Sequence, residues 1–277
     1  MNDTTPVTGS KICIITVGYA PSKEIALQEF HAFISQIEKE SISVEFIYFD
    51  NRAWLAESTQ GHNRYIPSLE GNIGFAKAVN LARNQTSADR LLLLNADLVF
   101  SPGQLGRIIE AQLLLSPKTV WAPQLLNEDG TNQTWEKSLH SNFVIEEIFG
   151  ILGYPRPFKD RPTRKFYLRG AVWSVSCELF DSQNGFDERF FLFGEEADFC
   201  FRLPRDSNLV LDSSIKVVHK GSQGAKSKSL FAYRHALWGR LRLQFKHNSP
   251  LAACIVAPFA AVAYAKEFLK RQWAGKP

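Results

Sequence analysis

Apolar positions along the chain keep two rhythms that alternate. Lys11–Gly18 (KICIITVG) is a short β-rich run without polar interruption, which predicts a buried strand. Beyond it Ser22 stands as a helix cap, and Ala26, Leu27, Phe30, Phe33, Ile34 and Ile37 return at helical spacing. Val44–Asp50 (VEFIYFD) reads as a second strand ending in an acid. A polar loop follows, then a helix over about residues 75–84 that opens after Gly71 and Gly74. Leu91–Leu94 is a third strand running into Asn95-Ala96-Asp97, and Ser101 and Pro102 supply a cap and first turn for a helix to Leu115.

This alternation predicts an α/β fold with a parallel sheet and right-handed crossovers, flanked by helices. In such sheets ligands lie beyond the carboxyl ends of the strands, where Asp50 and Asp97 fall. From Val120 to Tyr167 the rhythm gives way to Asn, Pro and aromatics, which reads as an excursion walling an acceptor pocket. Phe166–Phe180 is again β-rich, interrupted by Gly170.

With 277 residues, the chain can bury a full core. A net charge of +4 is too mild to point to nucleic acid, although the C-terminal end is distinctly basic. Cys13, Cys177, Cys200 and Cys254 are scattered through apolar runs with no C-x-x-C pair, so buried reduced thiols are expected rather than a zinc site or disulfides. Residues 1–10 are polar and lack the apolar core of a secretory signal, which predicts a disordered start and a cytoplasmic protein.

Four segments carry chemistry. In LLLLNADLVF (91–100), Asp97 sits at the tip of a buried strand, where a lone charge is costly unless paired. A divalent metal on a diphosphate is one partner; a strand-end turn capped by Asp97 or Asn95 is the other reading. In GFDERFFLFGEEADFCFRL (185–203), Glu195, Glu196 and Asp198 crowd together among phenylalanines. An apolar surround raises a carboxylate's pKa and makes it a better base, whereas acids also favour any helix N-terminus. A helix here would pair Asp198 with Arg202, four residues on. His219 ends a β-rich run, IKVVH, before a glycine- and serine-rich loop. EGNIGFAKAVN (70–80) turns tightly into a helix but is neither a G-x-G-x-x-G nor a Walker loop.

In this order, the four segments resemble glycosyltransferase family 2, the inverting enzymes of the GT-A fold, over roughly residues 11–225. They are most similar to the rhamnosyltransferase-type members that build bacterial surface polysaccharides. The first motif, T-Y-N in the family, reads Gly18-Tyr19-Ala20 here, and the D-N after the second strand is Asp50-Asn51. Asn72, Gly74, Phe75 and Asn80 match the N-x-G-F stretch, and Asn95-Ala96-Asp97 stands at the metal-binding D-x-D. The resemblance implies nucleotide contacts from Tyr19, Asp50 (to the base), Asn51, Asn72, Gly74, Phe75, Asn80 and Asn95. It further implies a Mg²⁺ or Mn²⁺ held by Asp97 with His219, and a catalytic base at Glu196 supported by Glu195 and Asp198. Gly18, Ala20, Asn95 and the longer Glu196 depart from the commoner pattern. The implied donor is a nucleotide diphosphate sugar, with dTDP-rhamnose the first expectation, and the acceptor a glycan or lipid-linked hydroxyl. A nucleotidyl or sugar-nucleotide transferase and a non-catalytic GT-A binding protein are the alternatives.

Residues 226–277 form a basic, amphipathic C-terminal segment. Lys and Arg interleave with aromatics up to His247, and the 15 residues Leu251–Ala265 carry no charge. With Pro258 interrupting it, this stretch is expected to fall short of the ~20 residues of a bilayer span. It would lie on an anionic membrane surface, making the protein peripheral at the inner face of the cell membrane, or pack on the domain as a helix pair.

Overall fold

The computed structural model describes residues 11–54, 63–133, 143–152, 167–220 and 229–274. Its elements run β1 (Ile12–Gly18), α1 (Lys23–Lys39), β2 (Glu45–Asp50), β3 (Asn63–Pro67), α2 (Phe75–Arg83), β4 (Arg90–Leu94) and β5 (Leu98–Val99). There follow α3 (Gln104–Leu113), β6 (Thr119–Leu126), α4 (Phe143–Leu152), β7 (Val172–Ser176), α5 (Cys177–Ser182), α6 (Glu195–Arg202) and β8 (Asn208–His219). Two helices close the chain, α7 (Leu230–His247) and α8 (Pro250–Ala274). Residues 1–10, and those of 120–167 outside the ranges above, lie beyond the described residues.

The strands form one sheet in the order β3-β2-β1-β4-β7-β6-β8-β5. The β3-β2-β1-β4 half is parallel, as the alternation predicts; β7 runs antiparallel to both β4 and β6, and β5 antiparallel to β8. Successive residues of β1 and β4 enter opposite cores. Cys13, Ile15, Leu91 and Leu93 pack on one face, Ile12, Ile14, Leu92 and Leu94 on the other. Burial on both faces is why these strands read as unbroken apolar runs.

Four expectations are corrected. Strand β3 lies where the sequence reads as polar loop, because an edge strand need not be apolar. Helix α3 starts at Gln104 with Gly103 at its cap, while Ser101 bonds the Gln104 side chain instead (2.9 Å from its N–H). Pro258 does not interrupt the tail: α8 runs through it for 25 residues, long and apolar enough to cross a membrane. The carbonyl that Pro258 leaves unpaired belongs to Cys254, on the exposed side of the helix, where loss of one bond is tolerable. Cys13, Cys177 and Cys200 are buried free thiols as expected, but Cys254 is exposed.

The tail helices pack on the domain. On α8, Ala252, Ala253, Val256, Ala260 and Ala263 are buried, and Val256, Ala260 and Ala263 join Leu237 of α7 and Ile151 of α4 in a small core of their own. Gly239 lets α7 close onto the 189–194 loop, since a Cβ there would stand 2.3 Å from the Phe193 carbonyl oxygen.

Candidate active site

Strand β4 ends at Leu94 and the chain turns through Asn95-Ala96-Asp97 into β5, which pairs with β8 so that Leu98 faces His219. That register brings the two expected metal residues together, with Asp97 Oδ1 3.1 Å from His219 Nε2. Gln133 fixes the imidazole's other side: its Nε2 donates to the His219 and Leu126 carbonyls (2.7 and 3.4 Å), so its Oε1 must be the acceptor facing His219 Nδ1 at 2.9 Å. Nδ1 therefore carries a hydrogen, and Nε2 points at the carboxylate with either a proton or a lone pair. With a proton the contact is an ion pair; with a lone pair the two side chains present two ligands to one cation. One carboxylate oxygen and one imidazole nitrogen suit Mn²⁺ at least as well as Mg²⁺. Among the described residues no group of three or more His, Cys, Asp or Glu side chains gathers to hold a metal.

Glu195 and Glu196 open α6, after Gly194. Glu195 is 5% exposed, and each glutamate keeps its Oε2 buried without a hydrogen-bond partner. Burial, then the adjacent Glu196 charge, pushes the Glu195 carboxyl well above the usual range. Burial also raises Glu196, but less freely, since backbone donors, Glu195 and the Arg169 charge favour its anion. Two carboxylates this close disfavour each other's ionisation, so burial and the pair's mutual repulsion both act to keep a proton on the pair. The acid pair and the metal pair are linked through a short path. Asn95 N–H donates to the Ala171 carbonyl (2.9 Å), and a Cβ on Gly170 would stand 3.8 Å from Glu196 Cβ.

Asp198 does something else. It is fully buried and accepts from Arg202 Nε (2.8 Å), Lys246 Nζ (2.6 Å) and His247 Nε2 (2.8 Å). Burial alone would raise its pKa; these partners outweigh burial and hold it below the usual range. Asp198 thus fastens α7 to α6, with Lys246 also reaching Asp187 at 2.8 Å. The expected pair with Arg202 is present, while the two α7 partners carry no sequence signal because they lie far along the chain.

The residues expected at the nucleotide are mostly engaged in building the loops around it. Asp50 is fully buried, accepting from the N–H groups of Arg52 (2.8 Å) and Trp54 (2.7 Å) and from the Tyr65 hydroxyl (3.1 Å). A base reaches this carboxylate only once that turn opens. Asn51 Oδ1 accepts from Ile73 N–H (3.2 Å), and Asn72 Oδ1 accepts from Gly74 N–H (3.1 Å), shaping the turn into α2. Gly74 has φ +85°, and Phe75 N–H donates to the Phe191 carbonyl at 2.8 Å. Asn80 clamps the 185–188 loop, accepting from Phe186 N–H (3.0 Å) and donating to its carbonyl (2.9 Å). Tyr19 is the open one, 49% exposed, with the Arg52 guanidinium 4.3 Å over its ring and bonded to its hydroxyl at 2.9 Å. Arg52, Trp54, Gln133 and Arg169 escaped sequence reasoning; only Arg52, directly after Asp50-Asn51, had a positional signal.

The mixed eight-stranded sheet flanked by helices is the GT-A fold. Over 99% of this chain and 79% of the other, the fold is similar to the mannosyltransferase PcManGT from Pyrobaculum calidifontis, solved with GDP-Man and Mn²⁺ (TM-score 0.55, 12% identity). It is also similar to GalNAc-T7 with UDP, GalNAc and Mn²⁺ (TM-score 0.52, 12% identity, 76% of this chain and 43% of that one). In sequence the chain is 23% identical to the N-acetylglucosaminyl-diphospho-decaprenol L-rhamnosyltransferase of Mycobacterium tuberculosis, strains CDC 1551 / Oshkosh and H37Rv, over 86% of this chain and 90% of the relative. No protein-family model matches.

Proposed function

We propose that the chain is a metal-dependent, inverting glycosyltransferase that moves a sugar from a nucleotide diphosphate to an acceptor hydroxyl in cell-surface polysaccharide assembly. The observation that carries this is the Asp97–His219 pair, with its tautomer set by Gln133, connected through Asn95 and Gly170-Ala171 to the Glu195–Glu196 pair. Mg²⁺ or Mn²⁺ held by Asp97 and His219 would offset charge on the departing diphosphate. Glu196 takes the acceptor's hydroxyl proton as the oxygen attacks the anomeric carbon; the bond to the phosphate oxygen breaks and its electron pair leaves with the nucleoside diphosphate. Glu195, kept neutral, leaves Glu196 as the one anion of the pair. Arg169 steadies that anion between turnovers.

The relative's name, an L-rhamnosyltransferase acting on N-acetylglucosaminyl-diphospho-decaprenol, supports a rhamnosyl donor, for which dTDP-rhamnose is our reading, and a lipid-linked sugar as acceptor. Tyr19 and Arg52 offer the exposed stacking surface for the nucleotide, and the Asp50 turn lies under it. Residues 11–225 would be the catalytic unit and 226–277 its membrane-side appendage. Titration calorimetry with dTDP and with UDP, each with and without Mn²⁺, tests the reading in the parent and in Asp97→Ala. Metal-dependent affinity should be present in the parent and absent from the variant. Equal affinity in both overturns the assignment, and clearly tighter UDP binding overturns the rhamnosyl donor alone.

A further inference from the structure

Between residues 189–193 and α7 lies a cavity of about 240 Å³, smaller than the ~300–1,000 Å³ of drug-sized sites and suited to a head group. Its walls carry three arginines, Arg189, Arg234 and Arg242, together with Phe191, His235 and Trp238. Arg234, Trp238 and Arg242 succeed one another at four-residue steps on α7, so they share one face of the helix. Arg189 is partly neutralised by its fork with Asp187 (2.8 and 2.6 Å). Arg234 and Arg242 have no carboxylate partner among the described residues; they lie only over rings, Phe231 at 5.7 Å and Phe190 at 5.8 Å. Two guanidiniums that lack a carboxylate partner among the described residues and line one cavity suit an anion, and the fork geometry of Arg favours phosphate oxygens. The lining reaches Phe193, two residues before Glu195 in the chain.

What surrounds the cavity says what the anion is attached to. Phe231, Trp238 and Phe245 stand out from α7 at seven-residue steps, 39%, 58% and 61% exposed. Next to α7, helix α8 turns Leu251, Ile255, Val262, Leu269 and Trp273 outward at spacings that keep them in a single stripe. A nucleotide has no use for that much apolar surface, but an amphiphile with an anionic head does.

We propose that this cavity takes the diphosphate of an isoprenoid-linked acceptor, with Arg234 and Arg242 as its ligands and the aromatic stripe of α7 against the lipid chain. The proposal rests on the glycosyltransferase reading and specifies its acceptor. Its test is co-sedimentation of the full chain with phosphatidylcholine vesicles containing a polyprenyl diphosphate, phosphatidylglycerol at matched charge, or neither. The parent should prefer the diphosphate vesicles, and inorganic pyrophosphate should compete. The Arg234→Gln/Arg242→Gln double variant should lose that preference by at least about tenfold, since each charge-assisted contact contributes that much or more. An unchanged melting temperature shows that the variant is folded; Arg234→Lys/Arg242→Lys, which keeps charge without the fork, should recover only part of the binding. Equal binding to phosphatidylglycerol vesicles overturns the proposal in favour of general surface electrostatics. A matching loss of dTDP or UDP affinity in the double variant overturns it in favour of the donor's own phosphates. If the parent binds no nucleoside diphosphate with Mn²⁺ yet still selects diphosphate vesicles, the glycosyltransferase reading fails and the anion site stands.

Discussion

Replacing Asp198 by Asn removes one charge from a site where three basic side chains converge at 2.6–2.8 Å on a fully buried carboxylate. Breaking a buried ion pair on one side typically costs about 3–5 kcal/mol, because the orphaned charges stay buried. Two partners have reserves: Lys246 keeps Asp187, and Arg202 keeps the Gln183 and Gly185 carbonyls. The lower end, about 3 kcal/mol, is therefore expected. At this chain length that is roughly 6–12 °C in melting temperature. The same measurement against pH supplies a second check. The Asp198 carboxyl is held below its unfolded value of about 3.9, so its contribution is full above that pH and is lost as pH falls through the folded value. Asp187, also held low despite burial, by Arg189 and Lys246, acts in the same direction. The parent should thus lose stability below about pH 4 more steeply than Asp198→Asn does. Thermal unfolding followed by circular dichroism across that range reads both effects. A shift under about 1 kcal/mol, or identical acid limbs, would refute the idea that this carboxylate ties α7 to the domain.

Two further outcomes follow from the packing and the acid pair. Gly239→Ala sets a methyl 2.3 Å from the Phe193 carbonyl oxygen, so α7 must back away, lowering stability by about 1–3 kcal/mol and raising protease cleavage around α7. Glu196→Gln should reduce kcat by roughly 10²–10⁴ with donor affinity retained. Glu195→Gln mimics an acid that is already neutral and should stay within about tenfold of the parent; the reverse order of severity would exchange the two roles.

The parallel half of the sheet was legible because strands buried on both faces must be apolar throughout, as Leu91–Leu94 are. Strand β3 was not, since its partner is only β2 and nothing requires its outer side chains to be apolar. Asp97 and His219 could each be singled out as strand-end residues, but their pairing depends on β5 lying antiparallel to β8, a long-range register that no local pattern encodes. Asp198 had the opposite fate. Its clustering with Glu195 and Glu196 suggested shared chemistry, whereas helical geometry turns it toward Lys246 and His247. The continuity of α8 through Pro258 could not be foreseen from the residue alone, because packing on α7 and α4 holds the helix together across the missing bond.

Two departures from the glycosyltransferase pattern, at Gly18 and Glu196, sit in surroundings that accommodate them, which weighs against decay of an unused site. Gly18 stands where the family's first motif has Thr, and a Cβ there would lie 2.1 Å from the Tyr48 hydroxyl. The small residue and the large one are complementary: Tyr48 fills the space and donates to Glu29 at 3.1 Å. Burial raises the Glu29 carboxyl, the Tyr48 hydroxyl partly offsets this, and the charges of Asp97 and Asp50 push it up again. Those two acids are therefore near enough for their fields to meet at Glu29, although they close different strands. The longer Glu196 is accommodated in the same manner. Gly170 faces it without a side chain, and even a Cβ would make only ordinary contact at 3.8 Å, so the extra methylene meets no obstruction. A site losing its function would be expected to accumulate unmatched changes; at Gly18 the change is matched by Tyr48, and at Glu196 the added methylene meets no clash from Gly170.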